Sequence, residues 1–318
     1  MDLKSEEGVE VVLKLVESAD AIFEGFRPGV MERLGLGPDV CEERNEKIVY
    51  GRMTGWGQTG PLANAAGHDI NYISLTGALA AIGRNDSSPV PPLNLIGDFG
   101  GGGMLLALGI VSALLETKNS GKGQVIDAAM TDGSSLLMTM MYSMHKSGFW
   151  NLERQSNLLD GAAHFYDTYE CKDGKFISIG SIEPQFYELL CEKAELSKDD
   201  FGDQMNRDTW AYKKELIQKV FLNKTRDEWC ELMEGSDVCF APVLDMSEAP
   251  KHPHNVARKT FIELEGVTQP APAPRFNRTE NEVLLPPAIA GEHSKEILES
   301  LGLDSNECER LLSSGSVV

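Results

Sequence analysis

Two patterns alternate twice within the first 54 residues, and that alternation limits the chain more than anything else in it. Residues 6–19 (EEGVEVVLKLVESA) carry apolar side chains at helical spacing. Ala21, Ile22, Phe23 and Glu24 then make a short strand-like run that stops at Arg27, Pro28 and Gly29. A second helix-like stretch runs into Asn45, and residues 47–53 (KIVYGRM) read as a second strand. Helix, strand, helix, strand is the grammar of a parallel sheet with helical crossovers, so the first half of the chain is expected to be α/β.

The next elements follow the same logic. A helix is predicted over 69–81, starting after His68 and ended by Gly83, and a longer one from Asp98 through Leu115, stopped by the polar run 118–123. Glycines 100–103 at its entrance allow close backbone approach, either to a ligand or to a neighbouring helix. Residues 124–127 read as a strand, and Met138, Met140, Met141 and Met144 on a third helix read as core filler rather than an acyl-binding surface. Beyond about residue 160 the pattern changes. Residues 166–171 and 175–179 alternate like strands around Lys172, Asp173 and Gly174, a hairpin signal, and are followed by helices over 185–194, 212–222 and 225–233 and a strand over 239–244. The expected organisation is a large domain over 1–160, a small α+β domain over 161–265, and a tail over 266–318 made of a proline-rich extended crossing and two helices returning to the large domain.

A length of 318 residues leaves room for two such domains. The net charge of −20 disfavours nucleic acid as a partner, so a small anionic ligand would need local basic residues, for which Arg27, Arg33, Arg52 and Arg84 are candidates. No uninterrupted apolar run reaches the roughly 18 residues that span a bilayer, and residues 1–30 lack the features of a signal peptide. The six cysteines form no C-x-x-C pair, which points to free thiols in a reducing compartment. His252 and His254 stand two residues apart without further ligand types nearby, so no metal site is expected. Ser120-Gly121-Lys122-Gly123 lacks the hydroxyl residue and earlier glycine of a phosphate loop, the four-glycine run lacks the dinucleotide spacing, and no Gly-x-Ser-x-Gly elbow occurs.

The chemistry points instead to His68 in Gly67-His68-Asp69-Ile70-Asn71-Tyr72 and Asp98 in Gly97-Asp98-Phe99, both at the edges of predicted helices. An imidazole and a carboxyl group on opposite faces of one carbon can take a proton from one side and return one to the other. The backbone N–H of Asp69, at a helix start, stands next to the imidazole as a hydrogen-bond donor.

The runs GHDINYISLTG, PLNLIGDFGGGGM, GKGQVIDAAM, GSIEPQFYELL and GEHSKEILESLGL resemble, in order and over essentially the whole chain, the α-methylacyl-CoA racemases of the family III (CaiB/BaiF-like) CoA-transferases. The resemblance implies an interlocked homodimer with shared active sites, each chain having a Rossmann-like large domain and a smaller α+β domain. It implies His68 and Asp98 as the acid-base pair, and Glu183, supplied by the partner chain's small domain, as the carboxylate that orients the histidine. Arg27 and Arg33 match positions that hold the CoA phosphates, and Gly67, His68, Asp69, Ile70, Asn71 and Tyr72 line the thioester and pantetheine. Inversion at carbon 2 of a 2-methylacyl-CoA is the implied reaction, with no cofactor beyond the CoA of the substrate. Two alternatives remain open: acyl transfer with Asp98 as nucleophile, and an inactive chain that serves as a dimerising partner. The resemblance also implies a further N-terminal β-α-β stretch ahead of Met1, without which the sheet would have an exposed edge, and a mitochondrial or peroxisomal location, although no targeting signal is seen in the chain.

Overall fold

The computed structural model describes residues 1–283 and 285–318. These form two compact units, one comprising Met1–Ile82, Pro89–Trp150 and Ala288–Val318, the other Gly83–Ser88 and Asn151–Pro287. The second unit therefore takes in six residues from the middle of the expected large domain, starts at Asn151, and holds the chain until Pro287.

In the first unit α1 (Glu6–Ser18) starts at Ser5, whose hydroxyl accepts the Gly8 N–H at 2.9 Å. Its far end is closed by Asn45, whose side-chain amide donates to the carbonyls of Val16 (3.0 Å) and Ala19 (2.9 Å). β1 (Ala21–Glu24), α2 (Val30–Arg33), α3 (Pro38–Arg44) and β2 (Val49–Thr54) follow. β1 and β2 are parallel, with Ala21 opposite Val49 and Glu24 opposite Arg52. β2 is central and nearly all buried, between β1 and the parallel strand β3 (Gln124–Ala129). The outer edge of β1 has no strand partner among the described residues.

The predicted helix over 69–81 is two helices, α4 (Asp69–Ser74) and α5 (Ala78–Ala81), because Gly77 adopts a left-handed φ of 77° between them. The predicted helix at Asp98 starts earlier and differently. Leu95–Gly103 is a π-helix, an uncommon form that recurs at functional sites, and it runs directly into α6 (Met104–Ser120). The four-glycine run serves helix packing: a Cβ at Gly133 of α7 (Met130–Leu137) would lie 1.8 Å from the Gly101 carbonyl oxygen, and one at Gly101 would lie 2.5 Å from the Ser134 nitrogen. Together Leu95–Ser120 make a 26-residue helix long and apolar enough to cross a membrane by length and composition. No single apolar run in the sequence foretells it, since its length comes from joining a glycine-rich turn to α6. Packed along β2 and β3, such a helix needs an apolar face of its own. The methionines are not core filler: α8 (Thr139–Lys146) has no buried residue, and Met140 is 49% exposed.

The second unit begins with the antiparallel hairpin β4 (Tyr166–Glu170) and β5 (Phe176–Gly180), turned by Gly174 at φ 74°. The helices α9 (Pro184–Lys193), α10 (Lys198–Phe201), α11 (Trp210–Phe221) and α12 (Arg226–Met233) follow, and β6 (Phe240–Pro242) then pairs with β5. α12 is capped reciprocally by Thr225 and Glu228. Phe165, Tyr169, Ile177, Leu190, Ile217, Phe221, Trp229 and Met233 form this unit's core. After α13 (Pro253–Arg258), β7 (Phe261–Leu264) and β8 (Val267–Pro270) make a hairpin, so the predicted crossing over 266–287 opens as a paired strand rather than as extended chain. Leu284, within that predicted crossing, lies outside the described residues. Back in the first unit, α14 (Ser294–Ser300) and α15 (Ser305–Ser313) bring Leu298, Cys308 and Leu311 onto Val11 of α1.

Candidate active site

A parallel sheet aims the ends of all its strands, and the helix starts that follow them, at one rim, which is where open α/β sheets bind ligands. At the carboxyl ends of β1 and β2 a cavity of about 370 Å³ opens between Phe26 and Arg27, which follow β1, Gly55 and Trp56, which follow β2, and His68 and Tyr72 at the start of α4. Beneath it Glu24 and Arg52 join the two strands. The Arg52 Nε donates to Glu24 at 3.0 Å and its terminal nitrogens donate to the two Glu32 oxygens at 2.7 and 3.2 Å. Glu24 also accepts the Phe26 N–H at 2.7 Å, which sets the turn that leads to Arg27.

Tyr72 shapes the wall. Its hydroxyl donates to the Gly67 carbonyl and its ring meets Trp56 edge-on, with centroids 4.8 Å apart. A Cβ on Gly55 would lie 2.0 Å from the Tyr72 ring, and one on Gly67 2.7 Å from it, so both glycines make room for the tyrosine. Burial raises the Tyr72 hydroxyl above its ordinary range, the negative charge of Asp98 raises it further, and Arg27 opposes both. His68 is the N-cap of α4, in extended backbone, and its N–H donates to the Asn71 side chain at 3.0 Å.

Five of the predicted residues, Arg27, Gly67, His68, Asn71 and Tyr72, line this one cavity. Ile70 is 41% exposed and outside its lining, and Asp69 is turned inward. Asp98 sits in the π-helix, accepting from the Asn94 side chain at 3.3 Å, with its backbone N–H held by Asp69. It is within electrostatic reach of Tyr72 but is not among the lining residues. Arg33 lies on α2 beside Gly29, away from the lining. Glu183 belongs to the second unit, where it precedes Pro184 as the N-cap of α9 and its charge adds to the burial that raises the Cys239 thiol. Arg52 is buried in its ion pairs with Glu24 and Glu32, and Arg84 pairs with Asp167 at 2.8 Å in the second unit, so neither lines this cavity. His252 faces the Glu234 carboxylate at 2.7 Å. Phe26, Gly55 and Trp56 were not picked out from the sequence, although their place just past two predicted strands was a usable signal.

Residues 1–294 match the family described as CoA-transferase family III. The chain belongs to that family. It is 42% identical over 320 residues to the alpha-methylacyl-CoA racemase of Homo sapiens and 43% identical over 314 residues to that of Mus musculus, in each case covering 98% of this chain and 82% of the relative. Among solved structures, a CAIB/BAIF family protein from Brucella suis superposes with a TM-score of 0.79 at 25% identity, covering 94% of this chain and 80% of that one. Family III membership accounts for the Rossmann-like sheet with its additional α+β unit.

Proposed function

We propose that the protein is an isomerase that inverts carbon 2 of 2-methyl-branched acyl-CoA thioesters through an enolate. The observation that carries the reading is His68 in the cavity wall at the carboxyl ends of the parallel strands, in a chain 42–43% identical to two alpha-methylacyl-CoA racemases. In one direction the His68 imidazole removes the C2 proton and the protonated Asp98 carboxyl delivers one to the opposite face. In the other direction the roles exchange. Each pKa unit between the C2–H and its base adds about 1.4 kcal/mol to the barrier, and one preorganised oxyanion donor recovers roughly 2.7–4 kcal/mol. The first amide of α4, that of Asp69, has no intrahelical acceptor and is suited to that role.

Arg27, in the cavity wall, and Arg33 would meet the CoA phosphates, and no cofactor beyond the substrate's CoA is invoked. Glu183 would orient His68 from the partner chain of a homodimer. An apolar stripe on α6 supports self-association: Met104, Leu108, Val111 and Leu115 recur at helical spacing and are each 61–68% exposed. The net charge of −20 argues against nucleic acid. We place the enzyme in mitochondria or peroxisomes on the resemblance.

The family name itself keeps acyl transfer as the second reading, with Asp98 attacking the thioester to form a mixed anhydride and release the CoA thiolate. Incubation of a single 2-methylacyl-CoA enantiomer in D2O separates the two. Racemisation with deuterium entering C2, lost in both His68→Ala and Asp98→Asn, supports the isomerase, whereas a hydroxylamine-trapped aspartyl adduct without C2 exchange supports the transferase.

A further inference from the structure

Asp69 is adjacent to the proposed base, yet its carboxylate turns away from the cavity. It is 5% exposed and crosses from α4 to the π-helix, where its Oδ2 accepts the backbone N–H of Asp98 at 2.7 Å. Its Oδ1 is buried with no hydrogen-bond partner among the described residues. Burying a carboxylate on a single hydrogen bond is unfavourable, so a residue kept in this position needs a compensating role.

The surroundings indicate the role. Asp98 is flanked by Gly97 and, beyond Phe99, by four glycines, so its own segment offers few side chains that packing could lock. Phe99, the largest neighbour, is 56% exposed. Asn94 donates to the Asp98 carboxylate at 3.3 Å, Asp69 holds the Asp98 backbone N–H in the first turn of the π-helix, and Gly97 is shaped to admit Asp69: a Cβ there would lie 2.5 Å from Oδ2 and 2.9 Å from the carboxylate carbon. Because residues 68 and 69 are joined by a peptide bond, one carboxylate ties the element that carries His68 to the element that carries Asp98.

We infer that Asp69 is a positioning residue that sets the Asp98 carboxyl against the face of the substrate opposite His68. The inference rests on the two-base reading above. Displacement of a reacting group by about 1 Å lowers rates on the order of a hundredfold, so loss of this one contact is enough to be read kinetically.

The test follows inversion and C2 deuterium incorporation separately, starting from each enantiomer of a 2-methylacyl-CoA in D2O, with the full chain and its Asp69→Ala, Asp69→Asn and Gly97→Ala variants. Wild type, His68→Ala and Asp98→Asn are run first: if wild type does not invert, or either variant still does, the two-base reading fails and the inference falls with it. With that reading standing, Asp69→Ala is expected to lose inversion by about a hundredfold. C2 exchange of the enantiomer whose hydrogen faces His68 should fall much less than inversion, because that half-reaction does not use Asp98 and alanine keeps the residue-69 amide. Asp69→Asn retains an oxygen acceptor for the Asp98 N–H and should recover most of the inversion. Gly97→Ala, which displaces the carboxylate without removing it, should reproduce the one-sided exchange even if Asp69→Ala does not fold. Inversion by folded Asp69→Ala near the wild-type rate, or equal loss of exchange from both enantiomers in the folded variants, would overturn the inference.

Discussion

Replacing Arg52 with methionine removes the cation that faces Glu24 while keeping most of the apolar volume. The side chains of Arg52 and Glu24 are 8% and 2% exposed, so this is a buried pair, and among the described residues the carboxylate left behind would retain only its bond from the Phe26 N–H. Breaking a buried pair from one side costs about 3–5 kcal/mol, because the remaining charge has lost its compensation. Glu32 adds little to that figure, since its side chain is 46% exposed and water can replace the arginine. At about 2–4 °C per kcal/mol for a domain of this size, thermal unfolding of the first unit should fall by roughly 6–20 °C. The double variant Glu24→Gln/Arg52→Met keeps an acceptor for Phe26 and removes the stranded charge, so it should recover most of the loss. The effect reaches the site, because Glu24 sets the turn that carries Phe26 and Arg27 into the cavity. The single variant should therefore also bind CoA more weakly. The hydrogen bonds from Arg52 hold the Glu32 carboxyl below its ordinary 4.5, so that part of the stability is complete above about pH 4.5 and is lost as the pH falls through the lowered value. Circular-dichroism melts and urea titrations of both variants decide the matter. A single variant within 1 kcal/mol of wild type, or a double variant no better than the single, would refute the reasoning.

Three further outcomes are expected. His164 is fully buried, and burial followed by the charges of Lys213 and Lys214 pushes it down to about 3 from its ordinary 6.5. The unfolded chain therefore binds this proton first, and the second unit should lose stability as pH falls from 6.5 towards 3, a slope that His164→Asn should flatten in melts across that range. Gly55→Ala would place a Cβ 2.0 Å from the Tyr72 ring and should raise KM at least tenfold, read from initial rates, while unfolding shifts by the roughly 1–3 kcal/mol of overpacking. Leu108→Glu together with Leu115→Glu should turn a dimer into monomer in light scattering, and an unchanged mass would remove the α6 stripe as the contact surface.

The acid-base candidates were legible before any coordinates because His68 and Asp98 stand in short, distinctive runs beside helix starts. Phe26, Gly55 and Trp56 were legible only as residues just past two predicted strands, since a cavity facing them forms only when β1 and β2 align their carboxyl ends. The π-helix escaped for a related reason: a glycine-rich stretch is compatible with several backbone registers, and its contacts with α4 and α7 select one.

Period and punctuation by themselves determined that this chain alternates helix and strand up to Thr54, that an Asp-Gly hairpin opens a different kind of unit, and that an imidazole and a carboxyl group stand near helix starts. Those are short-range properties, set by backbone preference and by the spacing of apolar side chains. The tertiary structure alone decided that Arg52 is an internal ion pair rather than a phosphate ligand, that the α8 methionines lie outside the core, and that Asp69 grips the amide of a residue 29 positions away. Each of these depends on which distant segment arrives opposite a side chain, and burial then fixes whether its charge is paired, solvated or used as an anchor.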